Sequence, residues 1–177
     1  MSGVIDEAEE PSERALTLFE RFTALTEEVS RYVVALDERQ WETLCPEEGR
    51  TVGVVLHHAA SVLGLIGEAV QAVAEGTPVP ADVAHRTMED GTRLNAAHAE
   101  EHADCTPAEV LALLQADGPR LADFVVGLTD AQLDHRGVAW DGEASAEQFI
   151  RGALIGHLRR HYQTVRATVE SLGPLDR

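Results

Sequence analysis

Residues 145–172, SAEQFIRGALIGHLRRHYQTVRATVESL, decide the fold class. Ser145 with Gln148 three positions on reads as a capping box, in which each side chain satisfies a backbone amide of the other. Ile150, Leu154, Leu158, Val165, Val169 and Leu172 then recur at helical spacing, and Gly173-Pro174 stops the run. The stretch predicts one long helix with a single apolar face. Within it lies Gly156-His157-Leu158-Arg159-Arg160-His161.

Three further stretches repeat the pattern. Ser12 reads as the N-cap of a helix carrying Leu16, Phe19, Phe22, Leu25, Val29, Val33 and Leu36. Cys45-Pro46 and Gly49 break the chain. A second helix opens at Thr51, carries Val52, Val55, Leu56, Ala59, Leu63, Ile66, Val70 and Val73, and ends at Gly76. A third starts at the capping box of Thr106 and Glu109, with Pro107 at its first turn and a kink expected at Gly118-Pro119. Residues 81–104 form a polar, His-rich connection, and 134–142 a linker. No stretch alternates as a strand does. The expectation is an all-α single domain over 1–177: a four-helix bundle with a long connection between the second and third helices, and a flexible start at 1–11.

Composition narrows the function. Acidic residues number 31 and basic residues 14, a formal charge of −17, and every basic residue is arginine. Such a surface repels phosphate backbones and anionic lipid, so neither nucleic acid nor a membrane is expected as partner. No run of about 18 apolar residues or signal core is read, which predicts a cytoplasmic protein. Cys45 and Cys105 make no disulfide framework and have no partnered His at a recognisable spacing. There is no Gly-x-Ser-x-Gly elbow, CxxC pair or Gly-rich phosphate loop.

The chain has eight histidines. On the last helix, His157 and His161 lie about 40° apart. His161 falls inside the apolar arc and His157 at its edge. On the second helix, the same wheel puts His58 on the apolar face and leaves His57 toward solvent or a partner subunit. His98 and His102 share the four-residue spacing, but among Ala and Glu, and read as a solvated face. Three inward imidazoles, His58, His157 and His161, are the donor count of a catalytic metal site with an open position.

The run Gly49-Arg50-Thr51-Val52-Gly53-Val54-Val55-Leu56-His57-His58 resembles the motif opening the second helix of DinB-like proteins, with His58 on the metal-binding His. The His157–His161 pair matches that family's last-helix HxxxH. The resemblance implies a helical bundle, a divalent metal (zinc, nickel, iron or manganese) on a His triad, and a homodimer. Relatives of this kind include the mycothiol-dependent maleylpyruvate isomerase and enzymes that transfer mycothiol or bacillithiol to small electrophiles. This chain has Arg50 where the family usually has Trp, and His157 where the isomerase uses a carboxylate. The implied activity is metal-dependent thiol transfer, with the metal holding the thiol as thiolate. The same site would serve a hydrolase with water as nucleophile, and a non-enzymatic metal-binding dimer is the third reading. Arg160, Arg93 and Asn95 are the substrate-binding candidates, Arg160 beside the His pair and the other two in the long connection.

Overall fold

The structure is a computed structural model that describes residues 12–173. The expected flexible start and Pro174 lie outside the described residues. The chain is mostly helical, in chain order α1 (Glu13–Ala35), α2 (Glu38–Trp41), α3 (Val52–Ser61), α4 (Leu63–Ala74), α5 (Ala81–Ala84), α6 (Met88–Glu101), α7 (Pro107–Val126), α8 (Asp130–Asp134), α9 (Ala146–Phe149) and α10 (Gly156–Ser171). A π-helical segment, Ile150–Ile155, joins α9 to α10. Two antiparallel hairpins interrupt the helices: β1 (Leu44–Cys45) with β2 (Arg50–Thr51), and β3 (Arg136–Ala139) with β4 (Gly142–Ser145).

Capping follows the sequence. Ser12 accepts from the amides of Arg14 and Ala15, and capping boxes open α7 at Thr106 and α9 at Ser145. The inner face of α1 begins one position earlier than expected. Ala15 and Leu18 are fully buried, whereas Leu16 is 44% exposed. Each fully buried residue such as Leu18 or Phe22 stabilises the fold by about 1.5–3 kcal/mol relative to exposure. α7 runs through Pro119 without ending.

α1 packs on α7, α7 also meets α3 and α4, and α10 lies along α3. The expected second helix is therefore two, α3 and α4, separated at Val62. Val52–Ala74 is long and apolar enough by composition to cross a membrane, which corrects the expectation that no such run exists; most of it is buried inside the fold. Two glycines set the spacing of this layer. A Cβ on Gly53 would sit 2.4 Å from Cε2 of Trp41, and one on Gly67 would sit 2.1 Å from Cδ2 of Leu121. The Trp41 ring thus lies directly on the α3 backbone, and its Nε1–H donates to the Cys105 carbonyl at 3.0 Å.

The expected linker over 134–142 contains a tight hairpin. Ala139 pairs with Gly142, so Trp140 and Asp141 are its two turn residues, with φ of 50° and 59°. Two positive φ values make the mirror-image turn whose twist suits a hairpin. Trp-Asp is an unusual pair for it, and the position is held from outside. The amides of Trp140 and Asp141 donate to the carbonyls of Val83 and Ala84 at 3.0 and 2.8 Å, and the Trp140 ring packs edge-on to Phe149.

Candidate metal centre

Three structural units meet at the histidines. The β1–β2 hairpin ends at Thr51, whose hydroxyl caps α3 by accepting from the Val54 amide. The turn reverses through Gly49 at φ +65°, which places Glu48 and Arg50 beside the new helix. α3 then carries His57 and His58 one and a half turns inside the protein. On the far side, the π segment hands over to α10 at Gly156, directly before His157. A π turn adds a residue to the helical repeat, so the wheel position of Ile150 does not carry across to His157. Within α10 the phase is regular, and Leu158, His161, Tyr162 and Val165 form its buried face.

The structure brings His58, His157 and His161 together. One ring nitrogen from each lies within 4.8 Å of the other two. The rings meet edge to face, with His58 5.2 Å from both partners and His157 4.5 Å from His161, centroid to centroid. The Nε2 of His157 is buried with no hydrogen-bond partner. An orphaned buried nitrogen costs about 1–3 kcal/mol unless something fills its lone pair or takes its proton. A metal ion at the centre of three imidazoles would do so, and the donor set fits a divalent transition ion.

Two residues that the sequence offered no reason to choose complete the setting. Nδ1 of His161 lies 2.7 Å from Oε1 of Glu48. Nδ1–H donation to that carboxylate leaves Nε2 as the free nitrogen. The other Glu48 oxygen accepts from Arg50, whose side chain is only 10% exposed and whose second terminal nitrogen is buried without a partner. Burial alone would raise the Glu48 carboxyl, but Arg50 and His161 outweigh it and hold it below its usual range. Burial, then the neighbouring imidazoles and Arg50, pushes His58 down to about 2. Burial and His161 push His157 down to about 3. His161 is also lowered by burial, against the pull of Glu48. All three are thus neutral at physiological pH, the form in which imidazole binds metal.

Of the three substrate-binding candidates, Arg160 is the one near the triad. Arg160 is exposed on α10, near enough to act electrostatically on His157 and His161. The Arg93 side chain is 72% exposed on α6 and pairs with Asp90 at 3.0 Å. Asn95 lines a groove of about 360 Å³ between α6 and Trp140 whose lining includes no triad histidine. Cys45 and Cys105 are free thiols, both buried.

His57 corrects the wheel reading. It is 6% exposed, because α3 is buried on every side from Val52 to Ala60 and has no solvent face to offer. His98 and His102 are corrected with it. They are half-buried and face His57: the His57 ring lies 4.1 Å from that of His102 and 5.1 Å from that of His98. Ala97, Glu100 and Glu101 beside them are exposed, so the local composition does not reveal the inward turn of the two rings. His135 has a backbone role, its Nδ1 lying 2.7 Å from the Ala74 carbonyl at the end of α4.

No curated protein and no solved structure shows a significant match to this chain. A family model, the mycothiol maleylpyruvate isomerase N-terminal domain, matches residues 22–158. That span takes in the β1–β2 hairpin, Glu48, Arg50, His58 and His157, and stops three residues before His161. With most of its length matched, the chain belongs to the family of mycothiol maleylpyruvate isomerase N-terminal domains, a DinB-like helical family.

Proposed function

We propose that this chain is a metal-dependent thiol transferase, joining a low-molecular-weight thiol of the mycothiol or bacillithiol type to a small electrophile. The observation that carries the reading is the convergence of His58, His157 and His161 around the orphaned Nε2 of His157. Family membership supports the thiol, since the family takes its description from a mycothiol-dependent isomerase.

His58, His157 and His161 would hold the ion. Once bound, it would supply Lewis acidity, which lowers the pKa of a coordinating thiol. Glu48 fixes the His161 ring by accepting a hydrogen bond from its Nδ1–H, and raises the basicity of the nitrogen that remains. Arg50 neutralises Glu48, and its unpaired nitrogen offers a donor to an anionic group on either reactant. Val54, Val55, Leu56 and Ala59, all buried on α3, keep water from this end of the helix. The fold reading that accompanies the proposal is a four-helix bundle of DinB-like topology, built from α1, α3–α4, α7 and α9–α10. The protein would act in the cytoplasm as a homodimer, without nucleic acid or membrane. A hydrolytic use of the same metal is the competing chemistry.

The test uses untagged protein loaded with zinc, nickel or manganese and incubated with mycothiol and either a maleyl-type or a haloaromatic electrophile. Loss of free thiol should be catalysed by wild type and abolished in His157→Ala. No metal-dependent thiol loss beside measurable ester or amide hydrolysis would replace transfer by hydrolysis. Metal content below a tenth of an equivalent in wild type and in His161→Ala alike would remove the site itself.

A further inference from the structure

We propose a second metal site, formed by His57 of α3 with His98 and His102 of α6, that fastens α6 to the buried helix. Nothing in this inference depends on the thiol-transfer reading, because the two His groups share no residue.

The geometry mirrors that of the first group. One ring nitrogen from each of His57, His98 and His102 lies within 4.8 Å of the others. His98 and His102 stand one turn apart on a single face of α6, the spacing at which two imidazoles chelate one ion. Nδ1 of His57 and Nε2 of His98 are 3.0 Å apart. Two ligands at about 2.0–2.1 Å from a tetrahedral zinc sit about 3.3 Å from each other, so this pair needs to part by only a few tenths of an ångström. The Ser61 hydroxyl, one turn along α3 from His57, lies 3.3 Å from Nε2 of His98. Three imidazoles with no carboxylate among the donors suit a borderline divalent ion such as zinc, cobalt or nickel, and not magnesium or calcium.

The reason for such a site lies in α6 itself. It is 14 residues long, and none of its side chains is fully buried. An isolated helix of that length is marginal, and most helices gain their stability from an apolar face packed on the core. Here the inward face toward α3 is formed by imidazoles. A metal shared with His57 supplies the cross-link that apolar burial does not. The His98 ring lies 5.3 Å from that of His58, so a fastened α6 also closes one flank of the first group.

The experiment is a zinc and cobalt titration of untagged, metal-stripped full chain, with bound metal counted after gel filtration. Two equivalents are expected in wild type, one in His98→Ala/His102→Ala, and one in His157→Ala/His161→Ala. Zinc should also slow tryptic cleavage at Arg93 in wild type and in His157→Ala/His161→Ala, but not in His102→Gln, whose milder change guards against loss of α6. One equivalent in wild type that survives His98→Ala/His102→Ala overturns the second site and leaves the first standing. One equivalent that survives His157→Ala/His161→Ala alone supports the second site and removes the first. Zinc-independent cleavage at Arg93 in wild type overturns the fastening role.

Discussion

Oε1 of Glu48 lies 2.7 Å from Nδ1 of His161, joining the β1–β2 turn to the last helix across 113 residues of chain. The contact selects the tautomer of His161 and fixes its ring plane. Arg50 holds the carboxylate from behind, so both partners are half or fully buried and little free to turn.

Glu48→Gln should therefore weaken metal binding without unfolding the protein. Loss of such a supporting carboxylate typically costs about 10–100-fold in metal affinity. A zinc competition assay against a chromophoric chelator measures it. An unchanged affinity would mean that Glu48 serves only as the counter-ion of Arg50.

Gly53→Ala tests the close approach of Trp41. The added methyl would fall 2.4 Å from the indole, so Trp41 must leave α3 and give up its bond to Cys105. Overpacking of this kind costs about 1–3 kcal/mol. In a Trp41→Ala background the same substitution should cost much less, because the atoms nearest the new methyl are gone and helix propensity favours alanine. Denaturant melts of the four proteins of the cycle decide it, and equal costs in both backgrounds would contradict the packing.

Much of the architecture was legible from capping boxes and apolar spacing, since Ser12, Thr106 and Ser145 each begin a helix. What was illegible has physical causes. A helical wheel assumes one wet face, and α3 has none, so the wheel places His57 toward solvent or a partner subunit although the fold itself buries it. The neighbours of His98 and His102 on α6 point to a solvated face, whereas what decides their burial is the imidazole on another helix that they face. Glu48 lies in a turn, where no periodicity marks a residue as inward. The π segment before Gly156 changes the helical repeat without any proline or charge to announce it. The Trp140–Asp141 hairpin is held by α5 carbonyls and by Phe149, contacts that lie outside its own sequence.

Asp141→Gly should stabilise the fold slightly. Asp141 sits at φ 59°, where an L-residue is disfavoured by roughly 1–2 kcal/mol and Asp by less. Glycine removes that strain but adds freedom to the unfolded chain, so a net gain of about 0.5 kcal/mol is expected. Trp140→Gly at the neighbouring position should do the opposite, because it also removes the contact with Phe149. Thermal melts of the two variants in parallel check the signs, and a destabilised Asp141→Gly would show that the side chain does more than tolerate the turn.

Stability of the metal-free protein should fall steeply as pH drops from about 6.5 toward 4. Burial, with the charge of neighbouring groups, holds His58 at about 2, His157 at about 3 and His98 at about 4. In the unfolded chain each titrates near 6.5. Their folded pKa values are depressed, so below 6.5 the unfolded state binds more protons and is favoured by acid. The stability is fully present above the unfolded value and is lost as pH falls through the window toward each folded value. Near pH 5 these three groups should add roughly three protons to the uptake on unfolding. Carboxylates such as Glu48 and Glu147, held below their usual range, act in a lower window, under about pH 4.5, and do not obscure the effect. Denaturant melts in EDTA at several pH values give the slope directly. His58→Leu should reduce it by about one proton near pH 5, and a slope identical to wild type would mean that His58 is as free to ionise in the folded protein as in the unfolded one.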